Sequence, residues 1–93
     1  MKVKVRKQET IIKEIDLEYP IYLYFQDEDC NDEIVMVNEN MKVTVKFDIF
    51  GIEVTSSNFN IIEEYELKNQ TTREHFMESY KEALKHFSKI IEM

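Results

Sequence analysis

Odd positions between residues 3 and 17 carry Val3, Val5, Ile11, Ile15 and Leu17, and the even ones are mostly charged or polar. A period of two is the mark of a strand with one buried face. Ile12, Lys7, Glu9 and Lys13 break the alternation, so the segment is either one strand bent near 8–10 or two strands that keep phase across a turn. Pro20 then opens a strand over Ile21–Gln26, at a position where its missing N–H costs least. In that strand Ile21, Leu23 and Phe25 face one way and Tyr22 and Tyr24 the other. Residues 27–33 read as a loop, 34–37 as a short apolar strand, and Asn38-Glu39-Asn40 as a tight turn, since Asn tolerates left-handed backbone.

The clearest alternation follows, with Val43, Val45, Phe47 and Ile49 inward and Thr44, Lys46 and Asp48 outward. At Phe50-Gly51 the phase flips, so that Ile52 and Val54 become the apolar positions. A β-bulge at the only glycine is the expected cause. Ser56-Ser57-Asn58 reads as the next turn and 60–67 as a last strand or extended edge.

Beyond residue 70 the period changes to three and four. Phe76, Met77, Tyr80, Ala83, Leu84, Phe87, Ile90 and Ile91 make one stripe of a helix over about 71–92. Thr71 with Glu74 forms a capping box. Glu74 and Glu78 near the start, and Lys85, His86 and Lys89 near the end, complement the helix dipole by about 0.3–1 kcal/mol each. The expected architecture is one α+β domain spanning 1–93: a curved antiparallel meander of four to six strands, with the C-terminal helix packed on one face. If the helix covers Ile21, Leu23 and Phe25, the tyrosines stand on the opposite face. They then form an interface, or a loop or the curled N-terminal strand covers them.

Charge changes this picture more than composition does. The 43% of hydrophobic residues is ordinary for a folded domain of 93 residues. The net charge of −7, however, is segregated. Lys2, Lys4, Arg6, Lys7 and Lys13 against Glu9 leave the first thirteen residues at +4, which puts the rest at −11. Between residues 14 and 39 stand nine carboxylates (Glu14, Asp16, Glu18, Asp27, Glu28, Asp29, Asp32, Glu33 and Glu39) and no Lys or Arg. Such a field repels nucleic acid and anionic lipid and attracts basic protein surfaces.

Chemistry is sparse by comparison. Asp27, Asp29 and Asn31 alternate like the first ligands of a calcium loop, but the position that needs Gly is Asp32 and the one that needs Glu is Asn38. A loosely held divalent ion through these three oxygens is the weaker alternative. His75 and His86 are about 16 Å apart along a helix and cannot share a metal. Cys30, the one cysteine, allows no internal disulfide, and its acidic neighbours disfavour a thiolate. With one Gly no phosphate-cradling loop can form, so no cofactor and no enzymatic activity are expected. The start shows no signal-peptide pattern and no stretch reaches the length of a membrane span, which with the lone thiol points to the cytoplasm. Usage rich in Ile, Asn, Lys, Phe, Tyr and Met suggests a gene of low GC content, as in low-GC bacteria, their phages and mobile elements.

The functional expectation is a small interaction module that docks on a basic partner, with mimicry of nucleic-acid phosphates as one route to it. Its interaction residues are Glu14, Asp16, Glu18, Tyr22, Tyr24, Asp27, Glu28, Asp29, Asp32 and Glu33. The rival is a homo-oligomer, such as a homodimer, whose charge only maintains solubility.

Overall fold

Pairing of the chain follows the alternation closely in a computed structural model that describes residues 3–8, 10–29, 31–58 and 61–92. Among these residues seven strands form: β1 (Val3–Gln8), β2 (Ile11–Ile15), β3 (Ile21–Gln26), β4 (Asp32–Val37), β5 (Met41–Asp48), β6 (Gly51–Asn58) and β7 (Ile62–Glu63). A 3-10 helix (Glu64–Asn69) and one helix, α1 (Arg73–Glu92), complete the fold. Strands β3 to β6 make the expected antiparallel meander, in the order β3-β4-β5-β6. The α+β architecture is therefore the observed one, with α1 on one face of that sheet.

A second, three-stranded sheet has the order β2-β1-β7. Here β1 and β2 form an antiparallel hairpin whose register shifts between Arg6 and Gln8, which decides for two strands across a turn. The expected last strand shrinks to β7, parallel to β1, where Val5 lies opposite Ile62. The remainder, expected as extended, winds into the 3-10 helix.

The register assigns each residue a face. On one face of the larger sheet, Ile21, Leu23, Val35 and Val37 pack with Val3, Val5 and Ile62 of the smaller sheet. On the other, Ile34 and Val45 pack under Phe76 and Ala83 of α1, with Tyr22, Tyr24, Met36, Val43 and Phe47 around them. β4 is thus covered on both sides, and that is why residues 34–37 are continuously apolar rather than alternating. The layers run small sheet, large sheet, helix.

Four local expectations are corrected. The tyrosine face is the one α1 covers, and the small sheet covers the Ile21 and Leu23 face; neither an open interface nor a loop lies over the tyrosines. Purely aliphatic side chains suit the closed space between two sheets, whereas a tyrosine beside a helix can send its hydroxyl to a polar partner at the layer's rim. Second, the phase flip at Gly51 is a chain reversal, not a bulge: Asp48 pairs with Gly51, and Ile49 and Phe50 form the tip between β5 and β6. Gly51 has φ +133°, which L residues rarely adopt. Ile49, expected inward, is 84% exposed there. Third, Ser56, Ser57 and Asn58 are no turn but the end of β6, opposite Val43, Lys42 and Met41. Fourth, α1 begins at Arg73, and the Thr72 hydroxyl rather than Thr71 accepts the His75 amide, at 3.1 Å, as its N-cap. The capping box instead closes the 3-10 helix, between Glu63 and Glu66.

Candidate functional site

Both ends of the large sheet are defined by its turns. At one end lie the β3-β4 loop and the β5-β6 tip, next to the pairs Gln26 with Asp32 and Asp48 with Gly51. At the other lie the 38–40 turn and the entry to β3, where Ile21 pairs with Val37. Six residues of strand put about 17 Å between them.

The acidic residues divide accordingly. Asp27, Glu28, Asp29, Asp32 and Glu33 gather at the first end, and all but half-buried Asp32 and Glu33 are exposed. Asp16 and Glu18 are exposed on the connection that enters β3 at the far end, and Glu14 stands on β2 opposite Lys4. These three are not brought to the loop.

Folding adds acids that the linear stretch did not contain. Glu78 and Glu82, four apart and so on one flank of α1, line a groove of about 380 Å³ together with Tyr24, Asp32, Phe47 and His75. Asp48 joins Asp27 and Asp29 around a broad depression of about 770 Å³ that includes Ile49 and Phe50. Two smaller hollows, one between Asp27, Asp32, Glu33 and Lys46 and one between Asp48 and Glu53, connect these into one surface through shared residues. Eight carboxylates line the four hollows, and Lys46 is the one Lys or Arg among their lining residues.

Two cations of the basic N-terminal segment are engaged elsewhere. Arg6 pairs with Glu63 at 3.2 Å and Lys13 with Glu64 at 3.1 Å, both on the side of the small sheet.

Within the site, side chains are held by local bonds. Tyr24 Oη and Gln26 Nε2 each donate to Asp32 Oδ1 at 2.9 Å, which ties the acid to β3. The Tyr24 ring lies 4.8 Å from that of His75, and Tyr22 lies 5.7 Å from Phe76, so both tyrosines are half-buried packing residues. At the tip, Phe50 N–H donates to Asp48 Oδ1 at 2.8 Å, and this short turn leaves Phe50 92% exposed.

Asp27 organises the loop. Its Oδ1 accepts the amides of Asp29 and Asn31 at 2.9 and 3.0 Å, and its Oδ2 accepts the Asn31 side chain at 3.0 Å. Those donors, Asn31 foremost, hold its carboxyl below the ordinary carboxylate range, with a smaller contribution from Lys46. The lowered value means that the bonds are fully present above the unfolded pKa, near 4, and are lost as the pH falls through the folded one. Asn31→Ala should return the Asp27 titration, followed by the carboxyl carbon in NMR, toward the ordinary value. An unchanged midpoint would show that the Asn31 side chain is not a cause and would leave the shift to the backbone amides, which the substitution retains.

The candidate cation ligands Asp27 and Asn31 are thus engaged with each other. Among the described residues no three His, Cys, Asp or Glu side chains are placed to hold a metal ion. Cys30 lies outside the described residues. No helix among them is long and apolar enough to cross a membrane. No protein-family model matches the chain, and no curated protein or solved structure is significantly similar to it.

Proposed function

We propose that this protein is a non-enzymatic interaction module that docks the acidic end of its larger sheet onto a basic surface of a protein partner. One observation carries the reading: carboxylates from the β3-β4 loop, from β5 and β6 and from one flank of α1 converge on a single end, with Lys46 as the accompanying cation. A surface of this sign steers a basic partner and sets its orientation. Ile49 and Phe50 supply what charge alone lacks. An exposed aromatic among carboxylates can be desolvated on contact, and such residues carry a large share of interface energy. Asp16 and Glu18, at the far end, are left outside the docking surface.

The test compares two variants with the same change in charge. One is Asp29→Asn/Asp32→Asn/Glu78→Gln at the acidic end, and the other is Glu14→Gln/Asp16→Asn/Glu18→Gln. Binding of a labelled peptide of alternating Lys and Arg is followed by anisotropy at physiological salt. The first variant should weaken binding about tenfold or more, at up to about 1 kcal/mol per exposed contact. The second should alter it less than about twofold. Equal losses would mean that the peptide senses only net charge, and the docking site would have to be abandoned.

A further inference from the structure

The larger sheet is closed along one side and open along the other. Beside β3, Leu23 bridges to Gln70 and the Tyr22 carbonyl accepts the Thr71 amide at 2.8 Å, so the chain occupies that edge itself. β6 pairs with β5 along all eight of its residues, and no described strand takes its outer side. Edge strands of monomeric proteins are usually blunted by charges, proline or bulges. β6 has an unbroken register, no proline, and Glu53 as its one charge.

α1 crosses the sheet toward the same edge. It starts above β3, where Phe76 meets Tyr22, and goes on to contact β4, β5 and β6. Twenty residues of helix are about 30 Å long, while four strands span about 14 Å between their outer axes. Laid across the strands, a helix of that length reaches past β6, and in its last turns Ile90 and Ile91 are 55% and 82% exposed. Leu84, seven residues before Ile91 and on the same side of the helix, is 48% exposed.

We infer that the β6 edge and the overhanging end of α1 form a homodimer interface. In it β6 pairs antiparallel with β6 of a second copy about a twofold axis normal to the sheet, and the two helix ends pack antiparallel above the joint. Three arguments select a second copy as the occupant. An open edge finds in its own twofold mate a strand of equal length with the complementary row of donors and acceptors. Charge permits it: in a chain of net charge −7, residues 81–92 of α1 hold Lys81, Lys85 and Lys89 against Glu82 and Glu92, so this end is close to neutral and two copies meet less like-charge repulsion here than between their acidic ends. Antiparallel pairing also keeps those acidic ends apart by about the length of the edge, some 27 Å and more than three Debye lengths at physiological salt.

The size is adequate. An edge of that length and two layers about 20 Å deep present on the order of 500 Å² in projection. With the relief of the protruding side chains this nears the roughly 800 Å² per partner of a stable complex.

This surface meets the acidic end at the start of β6, around Glu53, but the residues substituted in the two tests are different, so either reading can fail without the other. Sedimentation equilibrium should return twice the mass of the chain at about 100 μM. Ile90→Ser/Ile91→Ser, which alters exposed positions and leaves the fold intact, should raise the dissociation constant at least about tenfold. Hydrogen exchange gives the second reading, since β6 amides should slow as the concentration rises through the dissociation constant. A monomer at about 100 μM, a dimer indifferent to the double substitution, or β6 exchange that ignores concentration would each overturn the interface.

Discussion

Phe76→Ala is expected to lower the free energy of unfolding by about 3–5 kcal/mol, the range for removing a buried aromatic ring. Phe76 is 3% exposed, lies 5.7 Å from Tyr22 and 6.1 Å from Tyr80, and with Ala83 is one of the two buried residues, among those described, by which α1 meets the sheet. Ala83 is too small to compensate. A folded chain of 93 residues has a total stability of about 5–14 kcal/mol, so the substitution removes a large share of it. Phe76→Leu, which keeps part of the volume, should cost less than half as much. Urea titration measures both, and exchange of α1 amides shows where the loss falls: the helix should lose protection before β1 does. A loss below about 1 kcal/mol for Phe76→Ala would mean that the helix is not held by this contact.

Leu23→Ala is the second large effect, at about 2–5 kcal/mol and toward the upper end of that range. The residue is 2% exposed and sits between the two sheets, among Val3, Val5, Val35 and Ile62. Two hydrogen-bonded ladders cannot close over the missing methyl groups as a loose loop would, so the cavity persists. The urea midpoint should fall with an unchanged slope, because the surface exposed on unfolding stays nearly the same. Here β1 and β7 should lose exchange protection first, the reverse of the pattern for Phe76→Ala. Leu23→Ala with less than about 1 kcal/mol of loss would argue that the small sheet is only loosely apposed.

Much of the candidate site was visible in the linear chain, because the β3-β4 loop and the first two residues of β4 concentrate Asp27, Glu28, Asp29, Asp32 and Glu33 within seven residues. Its remaining members were not. The four-residue spacing of Glu78 and Glu82 announces a shared helix flank, but that this flank looks toward Asp32 depends on how α1 crosses the strands. Conversely, Glu14, Asp16 and Glu18 belong to the acidic stretch only in sequence. A strand advances more than 3 Å per residue, so one pass along β3 carries its two neighbouring connections to opposite ends.

Alternation with period two and recurrence at three and four are properties of the backbone geometry alone. They determined the α+β class, most of the strands, the C-terminal helix, and the fact that Tyr22 and Tyr24 share a face opposite Ile21 and Leu23. Which layer covers each face, the reversal at Gly51 and the parallel pairing of Val5 with Ile62 were decided by tertiary structure. A phase flip is produced equally by a bulge and by a hairpin, and residues 57 positions apart leave no local trace of their contact. Side-chain periodicity says which residues turn together, and only the packed partner says toward what.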